Sequence, residues 1–380
     1  MNVLVIGNYF DRDGLTSKVL SEGKHLSPLG VRLVIVVPQN PFARAGAAAK
    51  LQALGMKYYC ALTHFRILYF FFPFTICRLS RIIRREKIDL LHVNHGKTLL
   101  LGVILSWLRR VPLVYTIHGV SGRELPRAGK NFLFRRVSRV FPVSEESAAF
   151  FADRVRFPAN RIIVLRNAID FSHFAPGGES PDGRLDLLYL SRLDQDKRVA
   201  VEAAMDAVAL MAPGRPQVRL RILGDGRQYG KIKKKAQAIN RRLGREAIAM
   251  EGWADDPAPH MDKADLVLGV GRCVLEAIAA GRPVLVLGNE RIGGLVTAEN
   301  FPVLQKTNFS GRGSAVATTG ENLTRLLREA PPLAAVDDRI RALAVDGHDA
   351  ARLAAALKRI YLELLAARAG RRGTYLSSVS

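Results

Sequence analysis

Cysteine is scarce. The three in 380 residues, Cys60, Cys77 and Cys273, show no metal-ligand spacing. An odd, sparse set excludes a disulfide framework and points to a reducing compartment. Long apolar runs are missing too. The stretches around YFFFPF (67–77) and TLLLGVILSWL (98–108) fall short of the roughly 20 residues a membrane-spanning helix needs. The opening MNVLVIG lacks the n-region, h-region and cleavage site of a signal peptide and reads as a first strand. These absences lead us to expect a cytoplasmic chain, free or peripheral on the inner face of the cytoplasmic membrane. No short-period repeat is present. After the first strand the sequence runs GNYFDRDGLTSKVL, so the GxGxxG dinucleotide fingerprint is absent.

Acidic residues are also short, 34 against 57 Lys and Arg, for a net charge of +23. The excess is concentrated. Residues 75–139 hold 14 basic and 3 acidic residues, and residues 219–245 hold 10 and 1. Such patches suit nucleic acid, anionic lipid or a phosphate-bearing substrate, and a generally basic proteome would leave the same mark. Nucleic acid is the weakest of these expectations. No nucleic-acid motif is recognisable, and aromatic residues are not interleaved with the basic patches.

What is present is alternation. Apolar runs at 2–7, 31–38, 88–94, 112–119, 139–144 and 161–169 read as buried parallel strands, with helical patterns at 14–28, 44–54, 74–86, 97–109 and 145–154 between them. Residues 171–185, FSHFAPGGESPDGRL, read as a linker. A second series follows. Its strands are expected at 185–192, 218–226, 247–253, 265–270 and 283–288, and its helices at 197–211, 227–243 and 272–280. An Ala/Leu-rich helical pattern covers 338–368. This βαβα order predicts two doubly wound α/β domains, with ligands in the cleft at the carboxyl ends of their strands. The expected boundaries are 1–170, 171–345 and 346–380, the last a C-terminal helix with a basic tail able to pack back on the first domain.

Chemistry-bearing residues are therefore sought at strand ends. Gly14 precedes a helix whose first N–H groups could face a ligand. His118 ends YTIHG and can donate or accept near neutral pH. In HVNHG, His92 reads as core and His95 as a group at the mouth, a candidate acceptor contact. Arg192 and Lys197, in SRLDQDK, span a strand-to-helix junction and suit a diphosphate. Gly224 and Gly226, in LGDG, allow close backbone approach to a base or ribose. In GVGRCVLEAIAAGRPVLV the amides of Gly271 and Arg272 open a short helix as an anion site. Glu276, one turn on, could accept two ribose hydroxyls. Asp255-Asp256 reads as a loop, and no DxD-type pair closes a strand.

The order of these motifs resembles the retaining GT-B glycosyltransferases of the glycogen-synthase-like group, family 4, over nearly the whole chain. SRLDQDK is similar to that family's Arg-Leu…Lys motif. VLRNAID is similar to its Asn-Gly-Val-Asp segment, with Ala168 in place of the glycine. LGDG and EGW follow in family order, and the 269–286 block resembles Glu-x7-Glu followed by Ala-x-Gly-x-Pro-Val. The first glutamate of that block falls at Leu268 and the second is Glu276. GGLVTAENF (293–301) and NFSGR (308–312) are similar to a subgroup with Gly-x-Gly-Arg-x-x-x-Glu-Ala, and Glu299 offers a replacement acid.

The resemblance implies a GT-B fold, two Rossmann-like domains facing a cleft, the first for acceptor and the second for nucleotide-sugar donor. It implies that Arg192 and Lys197 neutralise the departing diphosphate, that His118 bonds near the donor sugar and that Glu276 holds the ribose. No metal and no cofactor beyond the nucleotide-diphosphate sugar itself are expected. The expected acceptor is a saccharide or lipid-linked molecule of cell-surface polysaccharide, lipopolysaccharide or glycolipid synthesis. The expected surroundings are an anionic membrane surface and no nucleic acid. A GT-B sugar-nucleotide epimerase, or a catalytically impaired nucleotide-sugar binder in view of Leu268, remain open at this level.

Overall fold

A computed structural model describes residues 1–7, 14–38, 49–61, 65–120, 131–174, 185–330 and 336–377. The chain forms two compact units, Met1–Ala168 with Ala350–Ser380, and Ile169–Asp349.

The first unit holds six parallel strands: β1 (Asn2–Ile6), β2 (Arg32–Pro38), β3 (Lys57–Ala61), β4 (Leu90–Val93), β5 (Leu113–Ile117) and β6 (Val137–Pro142). Their order is β3-β2-β1-β4-β5-β6. The central strands are apolar at nearly every position because both sheet faces are covered. Leu4, Ile6, Val34 and Val36 face a core completed by Leu79 and Ile83 of helix Phe65–Arg85 and by Leu99 and Leu105 of helix Gly96–Arg109. Val3, Val5, Leu33 and Ile35 face the other, completed by Val19 and Leu26 of helix Gly14–Leu26 and by Leu357 and Tyr361 of helix Ala350–Ser377.

The second unit holds β7 (Leu185–Leu190), β8 (Val218–Leu223), β9 (Ile248–Gly252), β10 (Leu266–Gly269), β11 (Val284–Leu287) and β12 (Ile292–Leu295). Their order is β12-β11-β10-β7-β8-β9, with only β12 antiparallel. Helices Arg198–Met211, Tyr229–Leu243, Arg272–Ala279 and Asp338–His348 contribute to cores on its two faces.

Four expectations are corrected. Residues 161–169 form no strand: they run beside β6 with Ile163 N–H donating to Val140 O and Leu165 N–H to Pro142 O, but pair only through isolated bridges. The sixth strand is instead KYYCA at β3, on the sheet edge against β2. The 74–86 helix begins at Phe65 and runs through Pro73. The 338–368 pattern breaks at Asp349, whose ψ of 127° is extended, into Asp338–His348 and Ala350–Ser377. There the Ile169 N–H takes the His348 carbonyl, and the helix on either side packs in a different unit. Parts of the 44–54 helix and the 171–185 linker lie outside the described residues.

Candidate active site

In each sheet two neighbouring strands send the chain off in opposite directions: β1 and β4 in the first unit, β7 and β10 in the second. The carboxyl ends of such a strand pair leave a crevice between diverging loops, the usual ligand position in open α/β sheets.

In the second unit the β7 loop supplies Arg192 and Lys197. Arg192 Nη1 donates to Asp194 Oδ2 at 3.3 Å, and Asp194 Oδ1 accepts the Arg227 N–H at 3.2 Å, so one carboxylate ties the β7 loop to the β8 loop. Leu193 N–H donates to Asp225 O, and Gln228 N–H to Leu193 O, completing the clasp. The tightness explains both glycines of LGDG. A Cβ on Gly224 would lie 1.9 Å from Ser191 O, and one on Gly226 would lie 2.6 Å from Leu193 O. Their close neighbour is thus the β7 loop. Lys197 ends a single 3-10 turn, Gln195–Lys197, and caps helix Arg198–Met211. Burial lowers its ammonium pKa below the usual lysine value; Arg192 and Arg312 push the same way, while Asp196 opposes them. Arg192 and Arg312 therefore both bear on Lys197 at this crevice.

Arg312 arrives there by a separate route. Gly271, at φ +61°, ends the β10 loop and donates its N–H to Phe309 O at 3.2 Å. That amide, expected to face a ligand, holds the 308–312 turn instead. Asn308 and Phe309 both have left-handed backbones, at φ 53° and 51°, a costly conformation for a bulky residue. Phe309 is wholly buried against Phe301 and His348, which fixes it there. Beyond it, a Cβ on Gly311 would lie 2.4 Å from Arg291 O, and one on Gly288 would lie 2.2 Å from Ser310 O. The turn is wedged against the ends of β10 and β11. The sequence pattern marked NFSGR without giving Arg312 a role; its only signal was the resemblance.

Glu276 lies one turn into helix Arg272–Ala279 and is 8% exposed. Its Oε1 accepts from Arg272 Nε at 2.7 Å. Burial pushes the carboxyl pKa up, and Arg272 opposes this; Asp256 adds to the rise and His173 to the opposition. His173 and Asp256 form their own pair at 3.0 Å. The Arg272 guanidinium thus pairs along its own helix, and its backbone opens the first helical turn. Leu268, where motif spacing puts the first glutamate, sits inside β10 between Tyr189 and Leu285 and is wholly buried. Glu299 is exposed and pairs with Arg339.

In the first unit His118 follows β5, with Nε2 3.3 Å from Asn94 Oδ1. Burial holds its pKa well below the ordinary histidine value, with Lys18 and His95 adding to the effect, so the ring is neutral. His95 caps helix Gly96–Arg109, its Nδ1 accepting the Lys97 N–H at 3.1 Å. Gly14 opens helix Gly14–Leu26, and the residues before it lie outside those described. The pattern missed Lys18 and Glu22, a buried ion pair on that helix whose lysine bears on both His92 and His118. His92 is core: Nδ1 meets Tyr361 Oη and Nε2 meets Thr116 Oγ1, each at 2.7 Å. Among the described residues no group of three His, Cys, Asp or Glu could hold a metal ion.

The model of Glycosyltransferase Family 4 matches residues 13–173, and that of Glycosyl transferases group 1 matches residues 184–304. UDP-Gal:alpha-D-GlcNAc-diphosphoundecaprenol alpha-1,3-galactosyltransferase of Escherichia coli is 24% identical over 259 residues, 57% of this chain and 65% of its own length. Alpha-monoglucosyldiacylglycerol synthase of Streptococcus pneumoniae is 25% identical over 174 residues, 44% of this chain and 36% of its own length. The chain thus matches less than two thirds of either relative. The structure of HepE from Anabaena in complex with UDP superposes with a TM-score of 0.71 at 18% identity, covering 96% of this chain and 100% of that one.

Proposed function

Since the chain belongs to the GT-B glycosyltransferases of the family 4 type, we propose that it moves a sugar, with retention, from a nucleotide-diphosphate sugar to a lipid-linked or saccharide acceptor. The observation that carries this reading is the convergence of Arg192, Lys197 and Arg312 at the β7–β10 crevice. As the glycosidic bond breaks, negative charge grows on the departing diphosphate. Cations fixed beforehand stabilise that charge more in the transition state than in the ground state, which is what lowers a barrier. Lys197 begins below its usual pKa chiefly because it is buried, with Arg192 and Arg312 adding to this, so an incoming diphosphate supplies a counter-charge that favours its ammonium form. The first turn of helix Arg272–Ala279 adds its dipole, and Glu276, paired with Arg272, takes the ribose hydroxyls. In this reading side chains carry the diphosphate charge, and transfer proceeds in excess EDTA. The second unit is the donor unit and the first, with His95 and neutral His118, the acceptor unit.

The relatives named for a diphosphoundecaprenol-linked acceptor and for a diacylglycerol product support a lipid-linked acceptor and a place in cell-surface polysaccharide or glycolipid synthesis. The test is a donor screen with purified protein, then product NMR for the anomeric outcome. Calorimetry with UDP and GDP accompanies it on Lys197→Ala and Glu276→Ala. Each variant is expected to lose at least about tenfold in nucleotide affinity or turnover, about 1.4 kcal/mol. Wild-type behaviour in both would overturn the site, and an inverted product would overturn retention.

A further inference from the structure

Three neighbouring elements of the first unit carry no acid among their residues. They are helix Phe65–Arg85, helix Gly96–Arg109 and the 3-10 segment Asn131–Arg136, which together hold nine Lys and Arg and no Asp or Glu. The three share one core on their inner sides, through Leu79, Leu105 and Phe134. They also touch directly: Arg109 Nε donates to Ser80 Oγ at 2.6 Å, and Arg136 Nη2 to Ser106 O at 3.0 Å. The next acid in sequence, Glu86, is turned inward and held by Lys57, Tyr59 and Arg32.

The expectation that aromatic residues are not interleaved with the basic patches is corrected on this face, where aromatic side chains stand among the arginines. Phe74 is 60% exposed, Trp107 69% and Phe132 61%, and these are all the exposed Phe and Trp among the described residues. Phe74, Arg78, Arg81 and Arg85 are spaced four, three and four apart, one stripe along a helix. Trp107 precedes Arg109 and Arg110, and Phe132 precedes Arg135 and Arg136. The other strongly basic element, helix Tyr229–Leu243, exposes Lys231, Lys233, Lys234, Arg241 and Arg242 but no large hydrophobic side chain. It has the charge without the apolar anchors.

We propose that the Phe74–Trp107–Phe132 face docks the protein on the headgroup region of an anionic lipid bilayer, and that helix Tyr229–Leu243 does not. The combination selects the partner. Guanidinium groups pair with lipid phosphate, and aromatic rings settle at headgroup depth with their apolar bodies in the acyl boundary. A nucleic acid backbone would reward the arginines and leave three apolar rings in water. No helix of the described residues is long and apolar enough to cross a membrane. Vesicle binding is read without donor or acceptor, so it stands or falls apart from glycosyl transfer.

The test uses the full chain and flotation with phosphatidylglycerol-containing vesicles at low salt, against pure phosphatidylcholine. The wild type is expected to float only with the anionic vesicles. Trp107→Ala/Phe132→Ser and Arg81→Glu/Arg85→Glu should each lose at least about tenfold in partition, 1.4 kcal/mol. Lys231→Glu/Lys233→Glu/Lys234→Glu should keep it, and thermal melting checks that all remain folded. Trp107 and Trp253 are the only tryptophans, so in Trp253→Phe the emission of Trp107 should shift to the blue and be quenched by brominated lipid. Absence of flotation, an unshifted Trp107, loss in the 231/233/234 variant instead, or retention on duplex DNA without flotation would each overturn the proposal.

Discussion

Replacing Leu268 with glutamate writes the motif's first acid back into the sequence, and the structure predicts that it unfolds a strand rather than completing a site. Leu268 is 0% exposed in the middle of β10, flanked by Tyr189 on β7 and Leu285 on β11. Losing the buried leucine costs about 2 kcal/mol. A carboxyl with no partner in that core stays neutral at pH 7, and holding it neutral from an ordinary pKa near 4.3 costs about 4 kcal/mol. The sum, about 6 kcal/mol, is comparable to the whole stability of many domains. The penalty depends on pH in a set direction. The folded-state pKa is raised, so the unfolded chain ionises first, and the deficit grows above pH 4.3 and shrinks below neutrality. At pH 5 it should be smaller by about 3 kcal/mol. Urea titration followed by circular dichroism at pH 7 and pH 5 measures both numbers, with Leu268→Met as a volume control costing less than about 1.5 kcal/mol. A Leu268→Glu protein with the wild-type midpoint and tighter binding of a nucleotide sugar would show that position 268 faces ligand, and would refute the placement of the strand.

Arg312→Ala should weaken UDP binding about tenfold, about 1.4 kcal/mol, and leave uridine binding unchanged; equal loss for both in calorimetry would assign Arg312 a folding role in the 308–312 turn instead. His92 is 1% exposed, and burial, with Lys18 and His118 adding, keeps its pKa well below the ordinary value. The unfolded chain therefore takes up a proton there below about pH 6.5 that the fold refuses, and stability should fall with decreasing pH by up to about 1.4 kcal/mol per unit. Urea midpoints at pH 7.5 and 5.5 should show that slope reduced in His92→Gln; an unchanged slope would mean that His92 accepts the proton without loss of its bonds to Tyr361 and Thr116.

Much of the fold was legible because parallel strands covered on both faces are written as apolar runs, and NVLVI or VLVL has no other use. The two strands that escaped are edge strands of another composition. KYYCA is mostly polar and aromatic, and IGGL is half glycine, with Gly293 forced by a Cβ position 2.9 Å from Val286. Both exist because a neighbour pairs with them, and no local period records that. The same limit hid the break at Asp349. The Ala/Leu pattern continues through it, and what stops the helix is the Ile169 amide, far away in sequence, taking the His348 carbonyl.

The strand ends show how far strand-end rules reach: they point to residues and do not assign the contacts of their atoms. Strand ends were predictable, so Arg192, Lys197, Gly271 and Glu276 could be named in advance. The contacts each makes come from loops that meet only in space. Gly271 spends its amide on Phe309, Gly224 makes room for Ser191, and Arg272 folds back on Glu276. Leu268 carries the sharper lesson. Counting eight residues back from Glu276 assumes a loop at position 268, whereas the run DLVLG already marks that position as the inside of a strand. Burial period is a direct consequence of the sheet, while motif spacing is a ruler that holds only where loop lengths match. When the two disagree at one residue, the period decides, and the absence of a carboxylate at Leu268 ceases to be evidence of a damaged site.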